Sequence, residues 1–265
     1  MNRIDALFRR KRESGGKALV MFVSAGDPDL AFTEQLVPAL AGAGADIIEI
    51  GVPFSEPMAD GPTIQAASER ALKSGTTLAG IMAMLHRLRL RIPQTPLVLF
   101  SYYNVILQYG VERLAADCAA IGVDAWLVVD LPPEEEGEIL PALADAGIAR
   151  ITLVAPTTPP GRMGRLLERA QGFVYYITVT GVTGARVELP ADLASQLDAV
   201  KAASPVPVVA GFGVATPEQA RAVASHVDGV VVGSKLVGAV ADAPTPAAAL
   251  AAAAELTRRL AAGLR

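Results

Sequence analysis

Eight short apolar runs recur along the chain with helical stretches between them, and this alternation limits the fold more than any other feature. The runs are 18–26, 45–52, 96–103, 125–130, 149–156, 173–179, 206–213 and 228–234. They are rich in β-branched residues and apolar on both parities, as suits strands covered on both faces of a parallel sheet. Helical patterning fills 30–43, 63–91, 110–120, 133–146, 161–170, 191–203, 216–225 and 246–262. The stretch between the second and third runs is long enough for an extra helix. Thr216 is placed to cap a helix, with Pro217 at its first position and Gln219 able to reach back. Pro207 falls at a strand start, where its missing N–H is tolerated. The Ala-rich C-terminal stretch reads as a last packing helix, since Ala is the best helix former. Eight βα units predict an α/β protein of the (β/α)8 TIM-barrel class, a single domain over residues 1–265. An open doubly wound sheet is the alternative. Its glycine-rich phosphate turn would follow the first run, but the turn there reads Ser24-Ala25-Gly26-Asp27-Pro28-Asp29, without the G-x-G-x-x-G spacing.

Composition narrows the chemistry. Hydrophobic residues make up 52% of the 265, enough for a large core. A net charge of −4 and the lack of a basic stripe argue against nucleic acid as a partner. No apolar run reaches the length of a membrane helix, and the basic N-terminus lacks the apolar stretch of a secretory signal. A single cysteine, Cys118, leaves no internal disulfide framework and sits in a predicted helix as inert packing. A cytoplasmic protein is expected. The two histidines, His86 and His226, are both assigned to helices, so a His-rich metal site or a Ser-His-Asp triad has little to work with, and no metal is expected. None of Lys11, Lys17, Lys73, Lys201 and Lys235 lies in a predicted strand, where a Schiff-base aldolase would hold its nucleophile. Catalysis would fall to carboxylates, hydroxyls and backbone amides.

Glu49 interrupts the apolar run Ile47-Ile48-Glu49-Ile50-Gly51 at the end of the second strand, the mouth of a barrel. Parity groups Ile47, Glu49 and Gly51 on one face. If that face is inward, an apolar cup raises the carboxyl pKa, which suits an acid that must later act as a base. A structural pairing with a nearby cation is the alternative. Asp60 follows in a segment with three prolines and two glycines over 51–62, the composition of a shaped loop. By itself it reads as a turn or cap residue before a helix near Thr63. Two carboxylates in different surroundings on one mouth loop instead suit different protonation states. Gly211-Phe212-Gly213 ends the seventh run and Gly233-Ser234 the eighth, where barrels commonly hold a phosphate. Gly181 and Gly184, after the sixth run, are candidates for a further donor or a lid. Phe22, Ile64, Phe100, Leu127, Tyr175 and Phe212 lie at or near the expected mouth and as a group suit a flat aromatic ligand, although each alone reads as core. Ser24, Tyr102 and Thr183 are strand-end hydroxyls that suit either ligand binding or solvation.

The stretch Ile48-Glu49-Ile50-Gly51-Val52-Pro53-Phe54-Ser55, followed by Asp60-Gly61-Pro62-Thr63-Ile64-Gln65, closely resembles the signature of the tryptophan synthase alpha subunit. Ala25-Gly26-Asp27-Pro28, Tyr103-Asn104, Asp130-Leu131-Pro132, Gly181-Val182-Thr183-Gly184, Gly211-Phe212-Gly213 and Gly233-Ser234 extend the likeness over nearly the whole chain. The resemblance implies a (β/α)8 barrel that cleaves indole-3-glycerol phosphate to indole and glyceraldehyde 3-phosphate, with Glu49 and Asp60 as the catalytic pair. It implies phosphate contacts at Gly184, Gly213, Gly233 and Ser234. It also implies a beta-subunit partner, in an alpha-beta-beta-alpha heterotetramer, that holds pyridoxal phosphate and receives indole through a tunnel. No cofactor is expected in this chain.

Two positions depart from the family pattern: Glu56 stands where Asp is usual, and Val105 where Pro usually follows Asn104. Both lie in loops that face the beta subunit in the family, and neither displaces Glu49 or Asp60. Two other readings compete with the lyase. One is a substrate-binding barrel that acts mainly by activating its partner, for which an intact acid–base pair is superfluous. The other is a different phosphosugar enzyme on the same barrel, against which the second-strand signature argues.

Overall fold

The computed structural model describes residues 2–177, 191–211 and 213–265. Among the described residues all strands belong to one parallel sheet: β1 (Ala18–Ser24), β2 (Ile47–Gly51), β3 (Leu97–Ser101), β4 (Ala125–Val128), β5 (Ala149–Arg150), β6 (Thr152–Val154), β7 (Val174–Ile177), β8 (Val208–Gly211) and β9 (Gly229–Val232). The strand order is β5-β4-β3-β2-β1-β9-β8-β7-β6. Its two ends, β5 and β6, are consecutive pieces of one run, broken only at Ile151. That residue's N–H still donates to the Trp126 carbonyl of β4 at 2.9 Å. The sheet therefore closes on itself, and the expected eight strands are present with the fifth in two pieces.

Side-chain parity divides the apolar residues into two clusters. Val20, Ile47, Val98, Leu127, Ile151 and Val209 fill the barrel interior. Their neighbours Leu19, Met21, Ile48, Ile50, Leu97 and Leu99 face outward against the helices. This is why the runs read as apolar on both parities. Helix α1 (Arg3–Ser14), which the patterning did not identify, plugs the interior with Ile4, Leu7 and Phe8. Phe8 meets Phe173 with ring centroids 6.1 Å apart.

The remaining helices are α2 (Leu30–Ala43), α3 (Pro62–Lys73), α4 (Leu78–Arg91), α5 (Tyr103–Tyr109), α6 (Val111–Ile121), α7 (Leu140–Ala146), α8 (Pro160–Glu168), α9 (Ala191–Ala203), α10 (Pro217–Ala224), α11 (Ser234–Ala241) and α12 (Pro246–Ala262). The helical stretch expected over 63–91 holds two helices, the extra one for which it has room. Gly75 at φ +82° breaks the first, and Thr77 caps the second by accepting from the Gly80 N–H. The expectation over 133–146 shortens to a 3-10 turn, Glu136–Glu138, followed by α7. Thr216 and Gln219 form the anticipated capping box of α10. His226 lies in the turn after α10 rather than in a helix, with its Nδ1 2.8 Å from Asp198 Oδ1.

At the strand starts, three aspartates repeat one device. The Asp46 carboxylate accepts the Leu19 N–H at 2.9 Å, while the Asp46 N–H donates to the Leu19 carbonyl at 2.8 Å. Asp124 does the same with Leu97, and Asp228 with Val208. Each carboxylate also meets a cation: Lys11 for Asp46, Arg3 and Arg89 for Asp124, Lys201 for Asp228. These pairs fasten the first or second residue of one strand to the approach of a neighbouring one. They stiffen the end of the barrel opposite its mouth.

Candidate active site

Glu49 points into the barrel from β2, in register with Phe22 of β1 and Val98 of β3. It is 0% exposed, and among the described residues neither carboxyl oxygen has a hydrogen-bond partner. Burial without compensation disfavours the charged form and pushes its pKa up to about 8. Among the described residues no cation or donor pairs with it, so nothing there supports the alternative of a paired structural carboxylate. At neutral pH Glu49 is a protonated acid held in an apolar cup.

Asp60 comes from the loop that leads from β2 into α3, and its surroundings differ. Tyr102, at the end of β3, donates its hydroxyl to Asp60 Oδ2 at 3.0 Å. The Asp60 N–H donates to the Pro57 carbonyl, and the Gln65 side-chain amide donates to the Asp60 carbonyl at 2.8 Å. Burial raises the Asp60 pKa, and the Tyr102 hydrogen bond opposes that rise. Asp60 is only half-buried, so it keeps contact with the mouth. Both carboxylates act on Tyr175. Its phenol is pushed well up, first by burial and then by the charges of Glu49 and Asp60.

The apolar candidates gather around this pair. Phe22 meets Phe100 edge-on, with ring centroids 5.1 Å apart and an interplanar angle of 77°. Ile64, Ala67 and Val237 pack against the same two rings. Leu127 and Tyr175 join the interior cluster below, with Leu127 fully buried. Two glycines make the space. A Cβ on Gly51 would lie 2.4 Å from the Phe22 ring, and one on Gly211 would lie 2.6 Å from the Tyr175 hydroxyl. Gly233 faces Phe22 and precedes α11, whose first residue, Ser234, is exposed. The first N–H groups of a helix lack intrahelical partners, so that helix start suits an anion. Gly213 is exposed at φ +63°, a conformation that side-chain-bearing residues rarely adopt. Thr183, Gly184, Gly181 and Phe212 lie outside the described residues. Ser24 is buried, and Tyr102 is buried on Asp60 rather than solvated. Among the described residues no group of three His, Cys, Asp or Glu side chains is placed to hold a metal.

A partly apolar barrel mouth with one protonated and one hydrogen-bonded carboxylate can donate a proton, take one back and stabilise a developing cation. The comparisons with known proteins agree with this geometry. The sequence pattern of the family described as "Tryptophan synthase alpha chain" matches residues 8–264. The chain belongs to the tryptophan synthase alpha chain family. The tryptophan synthase alpha chain of Geobacter sulfurreducens is 54% identical over 237 residues, 89% of each chain. That of Acidiphilium cryptum is 46% identical, over 100% of this chain and 98% of its own. Among solved structures, the alpha subunit of Legionella pneumophila tryptophan synthase superimposes with a TM-score of 0.91 at 35% identity, covering 100% of this chain and 98% of that one. Mycobacterium tuberculosis tryptophan synthase gives 0.91 at 37% identity, with the same coverage. As a tryptophan synthase alpha chain, the protein is a carbon–carbon lyase of tryptophan biosynthesis that acts on indole-3-glycerol phosphate.

Tyr102, expected as a strand-end hydroxyl for ligand or solvent, instead donates to Asp60, a partner the sequence does not name. Tyr102 shares parity with Val98 and Phe100, so strand periodicity carried a signal that it turns inward.

Proposed function

We propose that Glu49 and Asp60 carry out the retro-aldol cleavage of indole-3-glycerol phosphate to indole and glyceraldehyde 3-phosphate. The observation that carries this is the buried Glu49 carboxyl, without a partner among the described residues, whose pKa of about 8 keeps it protonated yet able to titrate. Glu49 protonates indole C3, which makes that carbon a leaving group. The ring nitrogen then bears positive charge, and Asp60 accepts its N–H. Stabilisation of this kind contributes about 10²–10³ in rate per group. The Glu49 carboxylate so formed takes the proton of the adjacent side-chain hydroxyl. The C–C bond breaks, its electron pair returns to the indole ring, and the hydroxyl carbon becomes the aldehyde.

Phe22, Ile64, Phe100, Leu127, Tyr175 and Phe212 would enclose the indole. Gly211, with Thr183, Gly184, Gly213, Gly233 and Ser234, would hold the phosphate end. The chain would act as one cytoplasmic domain without a cofactor of its own and pass indole to a beta subunit that carries pyridoxal phosphate, within an alpha-beta-beta-alpha assembly. Met58 is 80% exposed on the loop that carries Asp60, and Leu107 is 51% exposed on α5. Large apolar side chains this open at the mouth support a partner surface there. Glu56 is exposed on the same loop, and Val105 packs partly against the core from α5.

Indole release from indole-3-glycerol phosphate tests this reading, measured with and without a beta subunit. Slow release alone and strong stimulation by the partner are expected. Brisk release without stimulation would identify a free-standing lyase, and no release in either condition would remove the catalytic assignment.

A further inference from the structure

We propose that Tyr102 is a positioning residue for Asp60, a role that rests on the reading of Asp60 above. Its hydroxyl makes two hydrogen bonds to consecutive loop residues. It donates to Asp60 Oδ2 at 3.0 Å and accepts the Ala59 N–H at 3.0 Å. The Tyr102 ring is 2% exposed and lies against Phe54, with centroids 4.9 Å apart and an interplanar angle of 30°. The same loop is thus gripped at its start by ring contact and at its end by a hydroxyl. The next residue along, Tyr103, has its N–H held by Asp130 Oδ1 at 2.7 Å, which fixes the backbone from which Tyr102 extends.

This arrangement favours one state of Asp60 and offsets part of the burial that disfavours it. A phenol that already accepts the Ala59 N–H turns its own proton toward the carboxylate, so it supports the ionised form at Oδ2. Oδ1 makes no protein hydrogen bond among the described residues and is left for a ligand N–H. Tyr102 stays a donor over the whole working range, because burial first, and then the charge of Asp60, push its pKa up. Among the described residues, the other ionisable groups coupled to this pair are Tyr175 from β7, which feels both Glu49 and Asp60, and Asp130 from beyond β4, which acts on Tyr102.

Tyr102→Phe keeps the ring and removes only the hydroxyl. In the full chain with its beta subunit, kcat for indole release should fall about tenfold, the scale of a lost hydrogen bond to a charged group. KM should stay within about twofold, because the indole and phosphate contacts remain. The acid limb of the kcat profile should move to higher pH, since Asp60 loses the donor that favours its ionised form. Adding the change to Asp60→Asn should cost little more, as expected for two residues acting through one group. An unchanged rate and acid limb would reduce Tyr102 to packing. A raised KM with an unmoved acid limb would make it a loop latch with no effect on the Asp60 charge. Full activity in Asp60→Asn would overturn the reading of Asp60 itself, and this inference with it. A normal loss there with no effect of Tyr102→Phe would overturn this inference alone.

Discussion

Two buried carboxylates sit at opposite ends of the barrel, and they are treated in opposite ways. Asp124, at the strand starts, is 3% exposed and fully engaged. It accepts the Leu97 N–H at 2.9 Å, Arg3 at 3.1 Å and Arg89 at 3.4 Å. Glu49, at the mouth, is 0% exposed and has no hydrogen-bond partner among the described residues. Both have lost water. One recovers the loss through cations and backbone donors, and so serves the fold. The other recovers nothing and answers by holding its proton. The contrast separates a carboxylate that stabilises from one that is kept ready to react.

The sharpest way to break this contrast is Glu49→Gln. The amide preserves shape but can neither give nor take the proton, so turnover should drop by about 10³-fold or more. Ligand affinity should be nearly unchanged. Steady-state indole release and binding of a substrate analogue check both, and a variant retaining a tenth of the wild-type rate would remove Glu49 from the mechanism.

At the other end, Asp124→Ala should leave activity per folded molecule intact and cost stability instead. It leaves the largely buried Arg89 with carbonyl partners but no counter-charge, and orphans the Leu97 N–H. Breaking a buried ion pair from one side costs about 3–5 kcal/mol. Urea unfolding measures this, and a loss below about 1 kcal/mol would show that the Asp124 network is ornamental.

How much of this contrast the residues disclose depends on range. Glu49 was legible because it breaks an apolar run, a local signal with a clear physical cost. The capping box at Thr216 and Gln219 was legible for the same reason. The break at Gly75 and the cap at Thr77 are also locally written, and they divide the stretch that has room for an extra helix. The pairing of Leu19 with Asp46 joins residues 27 apart, and no periodicity reports it. The plug formed by Ile4, Leu7 and Phe8 shows only once the barrel has an open end to fill. Tyr102 gave a parity signal, but its bond to Asp60 is a meeting of two loops 42 residues apart.

Proton linkage offers a finer test of the mouth. The folded-state pKa of Glu49 is about 8 against an ordinary 4.5. A raised carboxyl pKa means that the folded state holds a proton the unfolded chain has released. Its penalty is therefore absent below about pH 4.5, grows as pH rises, and levels off above pH 8. Glu49→Gln removes the linkage. The variant should be more stable than the wild type, and the gap should widen by about 2–3 kcal/mol between pH 6 and pH 9. Chemical unfolding at the two pH values checks this. A gap independent of pH would mean that Glu49 finds a partner on ionising.

The smallest effect should come from Lys11→Met, and it tests whether the strand-start aspartates need their cations at all. Lys11 Nζ lies 2.7 Å from Asp46, and both side chains keep some contact with water. Water screens the charge left behind, and Asp46 retains the Leu19 N–H. The loss should be about 1 kcal/mol or less, as for exposed pairs, and should shrink in high salt. Asp124 differs in being sealed from water, so its cations have no substitute. If Lys11→Met costs as much as Asp124→Ala, the three aspartate pairs contribute alike and solvent access does not grade them. If it costs little, the strand-start end is itself uneven, and its stability is concentrated where a carboxylate is both buried and fully paired.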